Sequence, residues 1–397
     1  MYQRLNDEHY YRKFYFQDSF YAQCMDVDPL TMEQFDRSVA GVKAIIDQPI
    51  FKTAKHVIGT GCGDSNIAAF AIKEAFAYYL PDVEYEGVEA IELGRHYPYE
   101  ADMPDSLALF ISVSGRIYRT IEALLQCKRH GITTVAVTDS PQSETARNAD
   151  ILYYENSPKG DNNAGLRTYY VNVITTIILA AAMAEVRTGK SYLAELREEV
   201  RKYHEVFFAE ISNIDKICFE TAIHWIDKKY LGITADGPLF WTTKFIQAKI
   251  VELSGDACAV IDSENFMHVN ILMGPGEEYG EIVLINSNDA NVSRIADTVN
   301  NMVRRGHREV LVFADKKPEE LGITETVRYC YVPMPRKEFT FLEQIYAYLP
   351  GAIFAGFRHT TIGEPMFRGG MDPTIFVPTY FSPIDVVDLD KKVEADD

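Results

Sequence analysis

Leu107-Ala108-Leu109-Phe110-Ile111-Ser112-Val113-Ser114-Gly115 joins an unbroken apolar run to a serine–glycine turn. Apolar residues without alternation read as a parallel strand covered on both faces. A helical pattern follows over Tyr118–His130. An earlier stretch has the same plan. His56-Val57-Ile58-Gly59-Thr60 leads into Gly61-Cys62-Gly63-Asp64-Ser65, and then into a helical pattern over Ser65–Tyr79. Turns of this kind aim backbone N–H groups and hydroxyls at one point, and the next helix adds the positive end of its dipole. Two of them on neighbouring strands predict an anion site from Gly63, Asp64, Ser65, Ser112, Ser114 and Gly115. Asp64 is unusual in such a turn and reads either as a ligand for a sugar hydroxyl or as a helix cap.

Outward from these turns, strands and helices alternate. Strands are expected at Lys55–Gly59, Val83–Gly87, Leu107–Val113, Thr133–Thr138 and Ile151–Tyr154, with a helix over residues 31–50 and a long apolar helix from Tyr169 to about Arg187. The pattern then restarts, with strands at Tyr230–Ala235, Ala257–Asp262, Glu281–Ile285, Glu309–Phe313 and Arg328–Val332, and one final long helix over Leu342–Phe357. The expected fold is α/β: two doubly wound parallel-sheet domains in tandem. An N-terminal arm covers 1–30, the first domain 31–195, the second 196–365 and a tail 366–397. The second half lacks serine-rich turns, so the anion falls to the first.

Composition excludes several functions. With 58 acidic and 39 basic residues the 397-residue chain carries a formal charge of −19, which argues against nucleic acid. No stretch approaches the ~20 apolar residues of a membrane span, and the opening Met1–Glu8 lacks the apolar core of a signal peptide. The six cysteines form no CxxC pair and read as reduced residues of a cytoplasmic protein. No metal or cofactor is expected. No histidine–carboxylate cluster has metal spacing, no P-loop lysine follows either turn, and Gly59–Gly63 misses the dinucleotide spacing.

Ser112-Val113-Ser114-Gly115, Thr120-Ile121-Glu122-Ala123, Gly131–Thr138 and Ala149-Asp150 together resemble the sugar isomerase (SIS) family, and Gly61–Ser65 resembles its first phosphate turn. The two-domain plan is similar to the isomerase half of glucosamine-6-phosphate synthase and to the fructosamine deglycases. Val251-Glu252-Leu253-Ser254 resembles the family's Lys-Glu-Ile-Ser helix end, which implies Glu252 as the catalytic base. His268 follows sixteen residues later and by that spacing resembles a ring-opening histidine, with Glu264 either assisting it or acting itself and His359 as a rival. The family's C-terminal lysine has no match in Pro365–Gly370.

This chain departs from the family at Val113 and Ile117, where two neutral donors are lost, and brings Arg116 and Arg119 instead. Cations at the start of a helix face its positive end, an unfavourable placement that a bound anion reverses. Arginine in place of neutral donors suits a monoanionic sulfonate as well as a phosphate. Arg167, before the apolar helix, reads as a substrate contact or as an orienting residue. The resemblance implies an aldose–ketose isomerase acting on a hexose with an anionic C6 group, 6-phosphate or 6-sulfonate, without a cofactor. Proton transfer between C1 and C2 needs one well-placed carboxylate. Two alternatives stand: a deaminase or deglycase for phosphorylated amino sugars, and a non-catalytic sugar-phosphate sensor. Sites shared across a homodimer are implied by the same resemblance.

Overall fold

The computed structural model describes residues 19–159, 164–362 and 383–389. Helices are α1 (Ser19–Lys43), α2 (Pro49–Thr53), α3 (Asp64–Ala71), α4 (Lys73–Tyr79), α5 (Ala90–Arg95), α6 (Tyr118–Arg129), α7 (Glu144–Asn148) and α8 (Arg167–Thr188). They are followed by α9 (Tyr192–Ala209), α10 (Ile211–His224), α11 (Leu239–Ser254), α12 (Ser263–His268), α13 (Val292–Arg304), α14 (Pro318–Leu321), α15 (Glu343–Tyr346) and α16 (Leu349–Ile362). The first parallel sheet contains β1 (His56–Thr60), β2 (Glu84–Gly87), β3 (Ser106–Ile111), β4 (Thr133–Thr138) and β5 (Ile151–Tyr154), in the order β2-β1-β3-β4-β5. The second contains β6 (Tyr230–Thr234), β7 (Ala257–Ile261), β8 (Tyr279–Ile285), β9 (Glu309–Ala314) and β10 (Arg328–Tyr331), in the order β10-β9-β8-β6-β7. Read from the other edge, the second order repeats the first strand for strand. The tandem α/β reading of the sequence holds.

Two compact units form around the sheets. One comprises 32–159, 168–197 and 383–389, and the other 19–31, 164–167 and 198–362. In the first, β3 is buried along its whole length, and Ala108 and Phe110 pack with Ile58, Leu93, Leu124 and Ile132. Burying side chains of this size contributes ~1.5–3 kcal/mol each. In the second, α13 turns Ile295, Val299 and Met302 onto Val283 and Val312 of the sheet, while Arg294 and Asp297 pair outside, the expected division of an amphipathic helix.

Two expectations are corrected. The final segment is not one helix. A 3-10 stretch (Lys337–Leu342), α15 and α16 follow in succession, and Pro350 stands in the first turn of α16, where its missing N–H costs no intrahelical bond. Secondly, α8 is long and apolar enough to cross a membrane by length and composition, and 89% of its most apolar window is buried inside the fold. An all-round apolar helix of this kind is what a core position demands. The N-terminal arm up to residue 18, the stretch Pro365–Gly370 and the side chain of His359 lie outside the described residues.

Candidate active site

The two glycine–serine turns expected to hold an anion begin at one level of the first sheet. Thr60, the last residue of β1, pairs in register with Phe110 of β3. Gly61 and Ile111 therefore leave side by side, and a Cβ on Gly61 would stand 2.9 Å from the Ile111 carbonyl and 2.7 Å from Ser65. Only glycine permits that approach. Across the gap, Cys62 Sγ lies 3.5 Å from Thr120 Oγ1 of α6. Burial pushes the Cys62 thiol up, which disfavours the reactive thiolate. Gly63, at φ +60° and ψ −130°, is the N-cap of α3 and offers no side chain. Asp64 is the first helical residue rather than the cap.

The Ser112–Gly115 turn is held from behind. Thr138 Oγ1 and Ser140 Oγ donate to the Val113 carbonyl at 3.2 and 3.0 Å. Thr145 donates to the Gly115 carbonyl through both N and Oγ1, at 3.0 and 2.9 Å. Trans peptide geometry then turns the N–H groups of Ser114 and Arg116 the opposite way, which is the orientation an anion requires. Gly115 has φ +58°, and a Cβ there would meet Ser143 Oγ at 2.0 Å. Ser143 in turn caps α7 by accepting from Ala146 N. On the other turn, Ser65 is buried and accepts a hydrogen bond from Asn172 Nδ2 of α8 at 3.2 Å.

The two arginines separate. Arg116 is exposed and precedes the helix, since Ile117 is the N-cap of α6. Arg119 lies within the first turn of α6. Its guanidinium pairs with Glu122 at 2.9 Å and donates to the Pro383 carbonyl at 2.6 Å. Glu122, 3% exposed at its side chain, also meets Arg95 and accepts from Asp385 N at 2.5 Å. Arg129 donates to the carbonyls of Val386 and Val387. Residues 383–389 thus form a strap along α5 and α6.

In the other unit, Glu252 occupies the last turn of α11, which Gly255 ends in the left-handed conformation. A residue missing from the sequence reading joins it. Lys249, with a fully buried side chain, contacts Glu252 Oε2 through Nζ at 2.6 Å, while Glu252 stays 35% exposed. The signal was present as an i,i+3 pair on one helix face. His268 and Glu264 form an i,i+4 pair at 2.9 Å on α12, exposed by 68% and 59%. His268 and Arg294 hold Glu264 below the usual carboxylate range. Arg167 starts α8. Its backbone N–H reaches Gln23 Oε1 at 3.5 Å and its guanidinium lies 3.9 Å from Asp26, partners that orient the helix.

The corner of the second sheet that corresponds to the anion turns is acidic. Asp236 accepts from Ser263 N and Oγ at 2.8 and 2.6 Å, and Asp315 accepts from Ser287 N and Oγ at the same distances. Burial, with the charges of Asp236 and Asp315, pushes Asp289 up to about 6. Among the described residues no cluster of histidine, cysteine, aspartate and glutamate could hold a metal ion.

Residues 50–184 match the SIS domain family. A glutamine–fructose-6-phosphate aminotransferase (isomerizing) of Bradyrhizobium diazoefficiens is 26% identical over 310 residues, covering 75% of this chain and 48% of that protein. A similar protein of Brucella abortus is 24% identical over 288 residues, covering 69% and 44%. The chain spans about half the length of the curated relatives it matches. Among solved structures, the C-terminal domain of glucosamine-fructose-6-phosphate aminotransferase from Francisella tularensis superposes with a TM-score of 0.74 at 15% identity, covering 86% of this chain and 96% of that one. Tagatose-6-phosphate ketose/aldose isomerase from Escherichia coli gives 0.65 at 13%, covering 87% and 94%. These likenesses show the two-sheet fold.

Proposed function

Because residues 50–184 match the SIS domain family, we propose that this protein is an aldose–ketose isomerase acting on a hexose with an anionic group at C6, a 6-phosphate or a 6-sulfonate such as sulfoquinovose. The observation that carries the reading is the pair of converging turns. In the second turn the carbonyls of Val113 and Gly115 are tied back, which turns the N–H groups of Ser114 and Arg116 the other way, and Ser65, Ser112 and Ser114 stand on the two turns. Such preformed donors bind an oxyanion without reorganisation.

Glu252 is the proton shuttle between C1 and C2. The buried ammonium of Lys249 keeps a positive charge beside the carboxylate, and the same charge stabilises negative charge that develops on an enediolate. His268 and Glu264 are the groups assigned to ring opening, and their exposure fits a histidine awaiting a second subunit in a homodimer with shared sites. The six cysteines form no disulfide with one another, in keeping with a reducing cytoplasm.

The test is proton exchange at C2 followed by NMR in D2O, with fructose 6-phosphate, tagatose 6-phosphate and sulfoquinovose as candidate substrates. Exchange with interconversion of aldose and ketose supports the isomerase. Release of an amine from glucosamine 6-phosphate or a fructosamine 6-phosphate supports the deaminase or deglycase reading instead. Binding without either reaction supports a sensor.

A further inference from the structure

We propose that Asn172 is a positioning residue of the anion site, setting the direction in which the Ser65 hydroxyl donates. The inference rests on the reading of this turn as the anion site. Asn172 lies in the second turn of α8, 1% exposed, in the same unit as Ser65, which is 8% exposed. Its Nδ2 donates to Ser65 Oγ at 3.2 Å. A serine hydroxyl carries one proton and two acceptor lone pairs. The amide fills a lone pair and leaves the proton for another acceptor, which an oxyanion supplies. Accepting a bond also makes the hydroxyl a stronger donor.

The surroundings point to a ligand as well. Asn172 Oδ1, Asn66 Oδ1 on the first turn of α3 and Thr60 Oγ1 at the end of β1 are buried without a hydrogen-bond partner. Buried polar atoms rarely stay unpaired in a finished fold, and sugar hydroxyls are donors of the kind these three require.

The experiment is a double-mutant cycle on the full chain. Isothermal titration with fructose 6-phosphate, sulfoquinovose and inorganic phosphate measures Kd for the unmodified protein, Asn172→Asp, Asn172→Ala, Ser65→Ala and the double variants. Asn172→Asp turns the partner into an acceptor that takes the Ser65 proton, and should weaken anion binding about tenfold, with Asn172→Ala weakening it about threefold. In the Ser65→Ala background the Asn172→Ala effect should vanish, because Asn172 then has no hydroxyl to direct, and Asn172→Asp should keep only the repulsion between its carboxylate and the anion. If Asn172→Asp does not fold, the Asn172→Ala cycle decides alone. An unchanged Kd in Asn172→Ala, or an equal loss with and without Ser65, overturns the positioning role. If Ser65→Ala leaves Kd unchanged, or the unmodified chain binds none of these anions, the anion site itself fails and takes the inference with it.

Discussion

The two sheets share a strand order and differ at one corner. After β1 and β3 the first sheet presents glycines, serines and an exposed arginine. After β6, β8 and β9 the second presents Asp236, Asp289 and Asp315, with Asn286 donating to the buried Glu343. One device is common to both. Asp139, after β4, holds Ser157 through N and Oγ at 2.8 and 2.6 Å, as Asp315 holds Ser287 after β9. The architecture therefore fixes where loops gather, while the side chains on those loops decide the charge of what can bind. The first corner offers backbone N–H groups and hydroxyls and the second offers carboxylates, so the two differ in the charge they favour.

That division predicts which kinetic constant each change moves. Glu252→Gln should lower kcat about a thousandfold while leaving Kd for the anionic sugar nearly unchanged, measured by C2 exchange and titration. Retained turnover would remove the second unit from the chemistry.

Glycine substitutions should separate the corners next. Gly115→Ala places a Cβ 2.0 Å from Ser143 Oγ at φ +58°, whereas a Cβ on Gly237, at φ +55°, meets nothing within 4 Å. Gly115→Ala should destabilise by at least ~2 kcal/mol and abolish anion binding, and Gly237→Ala should cost ~1 kcal/mol from the backbone alone. Denaturant titration of both variants checks the difference.

The acidic corner should reveal itself through pH. The folded pKa of Asp289, at about 6, lies above its ordinary 3.8. The stability held by its protonated form is full below about pH 4 and is lost as pH rises through 6. Asp289→Asn should therefore gain ~1 kcal/mol at pH 7, a figure reduced for solvent screening, and nothing at pH 4. Equal melting of both proteins at the two pH values would dissolve the charge contrast.

The smallest effect concerns the arginines. Arg116→Ala should weaken phosphate binding about threefold, more at low salt. Arg119→Ala should instead lower the melting temperature, because it strips a partner from buried Glu122. The reverse pattern would favour Arg119 over Arg116 as the anion contact.

Much of this comparison was legible in the sequence. Uninterrupted apolar runs such as Leu107–Ile111 announced buried parallel strands, and turn composition separated the two halves. Glu252 fell at its helix end as expected. Lys249 escaped because it lies outside Val251–Ser254, the stretch that carries the resemblance, one turn back on the same helix face. The acidic corner escaped because Asp236, Asp289 and Asp315 come from three loops, and only strand order brings them to one edge. The break before α16 escaped because Leu342–Phe357 is almost wholly apolar, so periodicity carried no boundary. The strap was invisible for a different reason. Its hold on α5 and α6 uses its own backbone carbonyls and an N–H, and those bonds leave no mark on side-chain patterning.

That strap has a practical consequence. Residues 383–389 tie the C-terminal part of the chain to the helix that follows the second anion turn, through Arg119, Glu122 and Arg129. An affinity tag or fusion partner joined beyond it would pull on that helix, so the end of the protein that carries the tag becomes a variable in every measurement of ligand binding.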